Sequence, residues 1–242
     1  MESLNQVLSM IYKKSPLQKK KLESYISTRP ETFFEEADKF ISDYSSYLGY
    51  QKIPFSYAVE SYLKMCKDMF KSQIYFIKTD KYPLEDQNQA FEEVYNSDEE
   101  MHSFMIALAL SQYLWGTHYE MFKHFQRNIN QNQDKIKNYL EIGPGHGLFF
   151  KYAIQNIGPN CSYSAVDISK TSLEMTKDII SFFKLNGTAC PSASETTIPL
   201  KPVASPESDK VVNVPQPAGI TAPENENPRT VDPPVETVNP AP

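Results

Sequence analysis

A long apolar run is absent from this chain. Although 40% of its 242 residues are hydrophobic, no stretch reaches the roughly 18 apolar residues that a membrane-spanning helix needs. Cysteine is scarce: Cys66, Cys161 and Cys190 are odd in number and lack metal-ligand spacing. A disulfide framework is therefore not expected, and reduced thiols in a cytoplasmic protein are. Only four histidines occur, and His118 and His124, six residues apart, fall on different faces of a helix, which argues against a metal pair. His102 adds no ligand spacing. The opening residues Met1 to Asn5 have neither a charged nor an apolar leader segment, so secretion is not expected. Positive charge is in deficit as well. The net charge of -6 disfavours non-specific nucleic-acid binding, and its distribution is uneven: residues 191 to 242 carry -4 and the rest -2.

Glycine is also sparse, yet three of the eight glycines fall within five residues, in Asn138-Tyr139-Leu140-Glu141-Ile142-Gly143-Pro144-Gly145-His146-Gly147. The run before them reads as a buried strand, and the apolar-periodic segment after them reads as a helix. Glycine suits such a turn because the chain must reverse tightly while its backbone comes close to a ligand. A helix starting near Gly147 would aim free N–H groups and the positive end of its dipole above the turn. About twenty residues on, Tyr163-Ser164-Ala165-Val166-Asp167 reads as a second strand ending in a carboxylate suited to two ribose hydroxyls. His146, inside the turn, is exposed to whatever binds there.

The spacing is not that of the dinucleotide fingerprint G-x-G-x-x-G, whose third glycine would fall at Leu148, and no phosphate loop of the G-x-x-x-x-G-K-[ST] kind occurs. The pattern E-x-G-x-G-x-G resembles the first motif of class I S-adenosylmethionine-dependent methyltransferases, from about Asn138 to Gly187. That resemblance implies S-adenosyl-L-methionine as cofactor. Glu141, Gly143, Gly145, His146 and Gly147 would surround its methionine part, and Asp167, followed by Ile168, would hold the ribose. The competing readings are an NAD-binding oxidoreductase and a glycine-rich turn without a ligand.

The first 130 residues read as helices. Leu4, Val7, Leu8 and Ile11 recur at helical spacing until Pro16, and a second segment reaches Thr28. Its cluster Lys13, Lys14, Lys19, Lys20 and Lys21 can touch phosphate but is read as a solvated face. Pro30 suits the first turn of a helix ending near Gly49. After Pro54, a stripe of Phe55, Ala58, Val59, Tyr62, Leu63, Cys66, Met69, Phe70 and Ile77 predicts a core-facing helix. Tyr82-Pro83 and Glu85 to Gln89 read as a connection or a short helix. Ser97-Asp98-Glu99-Glu100, Thr117-His118-Tyr119-Glu120 and Thr171-Ser172-Leu173-Glu174 have the form of capping boxes, with Gly116 breaking one helix from the next and Asn128 to Gln133 read as a loop. In the methyltransferase family such a region often lies over the cofactor. Tyr113, Trp115, His118 and Tyr119 are thus candidates to line the site, or else fill the seam between two layers.

From 138 onward the order strand, helix, strand, helix is the first half of a parallel α/β sheet, stopped at Asn186-Gly187. Then the character changes. All thirty aromatic residues lie at or before Phe183, and twelve of the eighteen prolines lie from Pro191 onward, which predicts a disordered, Pro-rich tail. The expected organisation is α/β: a helical region at 1–130, a partial Rossmann-like methyltransferase core at 131–187 and the tail at 188–242. Two parallel strands leave open edges, so a covering by the helices, a protein partner or self-association is expected. An acidic chain with aromatic helices favours a small-molecule acceptor over nucleic acid. The part of the family's fold that would carry a catalytic base is not recognised, so no base is assigned. The rival reading is an inactive, truncated fragment or a helical interaction module keeping only a cofactor half-site.

Overall fold

The computed structural model describes residues 3–84 and 97–185. The expected connection at Glu85 to Gln89, the helix stop at Asn186-Gly187 and the tail from 188 all lie outside the described residues. Four helices come first: α1 (Leu4–Lys14), α2 (Pro16–Ile26), α3 (Glu31–Tyr50) and α4 (Phe55–Thr79). Then follow α5 (Asp98–Leu114) and α6 (Gly116–Asn132), a 3-10 turn (Gln133–Lys135), β1 (Asn138–Ile142), α7 (Leu148–Ile157), β2 (Ser162–Val166) and α8 (Lys170–Phe182). The described part is thus mostly helical with a small two-stranded parallel sheet, in which Asn138 pairs with Ser162 and Ile142 with Val166. A complete Rossmann sheet is not among the described residues.

One apolar core runs from Leu4 and Val7 in α1 to Ile179 and Ile180 in α8, so the helical region and the strand–helix repeat share their interior. At its centre is α5, with no exposed side chain from Met105 through Leu114 and with α4, α6 and α8 packed around it. A helix apolar all round is the pattern expected of a core helix, not of a surface one. Its first residue, Asp98, accepts a 2.6 Å hydrogen bond from Thr171 Oγ1 at the start of α8. The carboxylate thereby sits at two helix N-termini, where negative charge is favoured.

The caps differ in detail from their sequence signatures. Ser97 Oγ accepts from Glu100 N–H, but the Glu100 carboxylate pairs with Lys64 at 2.6 Å instead of closing the box. The box expected at Thr117 does not form, because α6 already starts at Gly116 with Trp115 as its extended cap residue. At α8 the cap is Ser169, accepting from Ser172 N–H, and Thr171 is spent on Asp98. A box the sequence reading passed over closes at Ser3 and Gln6. Pro30 is the N-cap of α3, one place before the first turn. Residues 128–132, read as loop, continue α6, since burying Ile129 at 5% exposure holds the last turn against the core.

Two apolar expectations need correction. The α4 stripe is buried only as far as Met65; Met69, Phe70 and Ile77 are exposed, because no described element packs beyond the point where α5 begins. β1, read as a buried strand, is covered on one face alone. Tyr139 and Tyr163 lie under Phe150 of α7, while Leu140 and Ile142 stand 58% and 80% exposed on the other face. The lysine cluster near α2 is engaged by carboxylates, Lys14 with Glu60 at 2.8 Å and Lys19 with Glu23 at 3.8 Å, as a solvated face would be.

The α5–α6 corner is tied to α4 by Trp115 Nε1–H donating to Tyr62 Oη at 2.9 Å. Replacing Tyr62 with Phe removes the acceptor and leaves the indole N–H without a partner. Urea unfolding of Tyr62→Phe is expected to read a loss of about 1–3 kcal/mol.

Candidate functional site

The strand-to-helix turn is made by three glycines at positive φ: Gly143 at +71°, Gly145 at +55° and Gly147 at +74°. An L side chain is strained there. Gly143 N–H donates to Val166 carbonyl at 2.7 Å, extending the ladder one step past β1, and Gly147 N–H closes the turn on Pro144 carbonyl at 2.8 Å. The glycines differ in what surrounds them. A Cβ at Gly143 would meet nothing within 4 Å, whereas one at Gly147 would lie 2.8 Å from Thr176 Cα. Gly143 therefore faces open space, and Gly147 lets α8 approach the turn. At Gly145 a Cβ would come within 3.0 Å of Met105 Sδ on α5.

Beside the turn is a cavity of about 230 Å³ whose lining includes Glu141, Gly143, Gly145 and His146 from the turn and Gln112 and His118 from α5 and α6. Leu108, Met121 and Phe149 supply its apolar wall. The structure thus brings together four of the seven residues singled out by sequence. Of the other three, Gly147 packs beneath the turn. Asp167 is tied to it from the side: its Oδ2 accepts from Gly145 N–H at 3.4 Å and its Oδ1 from Ser169 N–H at 2.9 Å. Ile168, next to it, is 59% exposed.

Among the four candidate lid residues, only His118 reaches the cavity. Tyr113 is buried against Phe33, Phe40 and Tyr119; Trp115 is held by Tyr62; and Tyr119 donates to Glu36 at 3.2 Å. These three fill the seam between helices. Gln112 was missed by sequence reading, although a signal existed: Ser111-Gln112 are polar residues inside the otherwise apolar Met105 to Leu114 run.

The lining is rich in hydrogen-bond acceptors. Burial pushes the Glu141 carboxyl up to about 7, even though the hydrogen bond from Tyr139 Oη, at 2.5 Å, favours its anion. His146 Nδ1 accepts from Leu148 N–H at 3.2 Å, which leaves the ring proton on Nε2. Burial, helped by the neighbouring His118, holds that imidazole down to about 4, so it is neutral at physiological pH. Gln112 is 4% exposed and its Oε1 has no hydrogen-bond partner. No lysine or arginine is among the described residues that line the cavity.

Two measurements test this geometry. Gly147→Ala is expected to cost more stability than Gly143→Ala. Both incur the ~1–2 kcal/mol strain of positive φ, but only the first drives a methyl into backbone, and urea unfolding of the pair reads the difference. The second concerns Glu141. With its folded pKa raised, the native state holds this proton more tightly than the unfolded chain between about 4.5 and 7, so the group's contribution to stability falls as pH rises through that window. His146, lowered instead, works in the opposite direction at lower pH, so the comparison must be made between variants. Glu141→Gln is expected to match the parent near the bottom of the window and to exceed it by up to ~3 kcal/mol above it, measured by urea unfolding at both ends.

Compared with known proteins, the chain matches no family model, no curated protein and no solved structure.

Proposed function

We propose that this chain binds S-adenosyl-L-methionine at the glycine turn and serves a methyltransferase acting on a small-molecule acceptor. The observation that carries the proposal is the company the turn keeps. Glu141 and two neutral imidazoles converge on glycines at positive φ, with no cationic side chain among the described residues of the lining. Such a set suits a positively charged ligand that donates hydrogen bonds, as a sulfonium with an ammonium group does. Bound there, the cofactor supplies an electrophilic methyl group.

The chain's own residues have separable tasks in this reading. Glu141 holds the cationic end, and the open side of Gly143 leaves the approach clear. Each oxygen of Asp167 already accepts one backbone N–H, which fixes the carboxylate and leaves a second acceptor site on each for a pair of ribose hydroxyls. The protein's share in methyl transfer is then mainly positioning and electrostatics. A dinucleotide is less well served. Its pyrophosphate would seek the free N–H groups at the start of α7, yet Leu148 N–H is taken by His146, and no cation stands by.

A second reading has one observation in its favour. The described residues hold two strands, and the exposed Leu140 and Ile142 mark a sheet face left uncovered. On that reading the chain is an interaction module with a cofactor half-site, and a protein partner or a second copy covers the sheet.

Isothermal titration of the full chain separates the readings. Expected is micromolar binding of S-adenosylmethionine, tightening as pH rises through about 7 when Glu141 ionises. Asp167→Ala should weaken it by about tenfold or more, ~1.4 kcal/mol. Absence of heat with this ligand would overturn the proposal, and heat with NAD in its place would favour an oxidoreductase.

A further inference from the structure

The cavity holds a histidine whose tautomer is fixed by hydrogen-bond accounting. Ser111 is fully buried, and its Oγ lies 2.6 Å from the Leu108 carbonyl and 2.7 Å from His118 Nδ1. A hydroxyl has one proton. A carbonyl cannot donate, so that proton lies between Ser111 and Leu108, and the second contact needs a proton from the imidazole. His118 therefore carries its hydrogen on Nδ1, and its Nε2 presents a bare lone pair, without a partner among the described residues. The Trp115 ring, 4.7 Å away between centroids, holds the imidazole from one side. His146 has the opposite tautomer, its Nδ1 accepting from Leu148 N–H. Two imidazoles thus line one cavity, one as acceptor and one as donor.

We infer that His118 Nε2 receives the hydrogen-bearing atom of the methyl acceptor, so that the site takes an apolar small molecule with an O–H or N–H nucleophile. This rests on the proposed cofactor. Leu108, Met121 and Phe149 offer the apolar wall against which the body of such a molecule packs. An acceptor lacking a donor hydrogen would leave the His118 Nε2 lone pair without a partner, which discriminates against it. In the transfer step His118 Nε2 takes the proton of the O–H or N–H group. The freed electron pair forms the bond to the methyl carbon, and the carbon–sulfur pair returns to sulfur. The positive charge thereby passes from sulfonium to imidazolium, with Glu141 lining the same cavity. His118 is then the catalytic base and Ser111 its positioning residue.

The test uses the full chain with 15N-labelled histidine, the four imidazoles being assigned by single His→Gln variants. At neutral pH, long-range proton–nitrogen spectra are expected to place the His118 proton on Nδ1 and the His146 proton on Nε2. Ser111→Ala should release His118 into a mixture of tautomers, an effect that a merely space-filling serine would not have. With unreactive S-adenosylhomocysteine bound, phenol or aniline should shift the His118 Nε2 resonance. Their methylated counterparts, anisole and N,N-dimethylaniline, should not. A His118 proton on Nε2, no response to either probe, or an equal response to the methylated compounds would overturn the inference. If S-adenosylhomocysteine moves no resonance and gives no heat, the cofactor reading falls instead, and the tautomer result still stands apart from it.

Discussion

Everything near the glycine turn depends on a helix whose second half, Met105 to Leu114, has no exposed side chain. Because this part of α5 is enclosed, its polar residues have nowhere to go but into the protein's own interior. Ser111 turns back to its own helix and outward to His118; Gln112 is enclosed with its Oε1 unpartnered; Asp98 bridges to α8. Met105 on the same helix presses against Gly145, so the position of α5 sets how the turn is shaped. A shift of that helix would alter the cavity wall, the turn and the orientation of the His118 ring together. Close-packed interiors transmit such displacements instead of absorbing them.

The electrostatic design of the cavity runs against stability. A carboxyl whose burial raises its pKa, two imidazoles kept neutral and an amide oxygen without a partner are each costly to enclose. Groups like these persist in folded proteins chiefly where a ligand completes them. On the proposed function that complement is a hydrogen-donating cation next to Glu141 and a hydrogen-donating neutral group next to His118. The aromatic seam of Phe33, Phe40, Tyr113 and Tyr119 offsets the cost on the other side of α5, with rings packed at tilted and edge-on angles.

The two-stranded sheet has an asymmetric environment. Its inner face is closed by Phe150 over Tyr139 and Tyr163, which fixes the register between β1 and β2. Its outer face presents Leu140 and Ile142, and the backbone edges of both strands are unpaired among the described residues. The turn can still be well formed under these conditions, because its glycines are held by β2 through Val166 carbonyl and by Asp167, not by a third strand.

The sequence by itself determined the local elements. Leu4, Val7, Leu8 and Ile11 fall on one helix face, Gly143 to Gly147 impose a turn that L side chains resist, and a break at Gly116 follows from its interrupted period. These are short-range consequences of sterics and periodicity. Tertiary structure alone decided the rest. Trp115 and Tyr119 were candidates for the site with the seam the favoured place by sequence, and the packing of α4 and α3 assigned them to the seam. The boxes at Thr117 and Thr171 lost to caps two residues earlier, at Trp115 and Ser169. The proton of His118 was invisible in the string of letters, and the polar pair Ser111-Gln112 inside an apolar run did not say what it would meet. A hydrogen-bond partner is chosen by whatever burial brings within three ångströms, and no spacing rule specifies that.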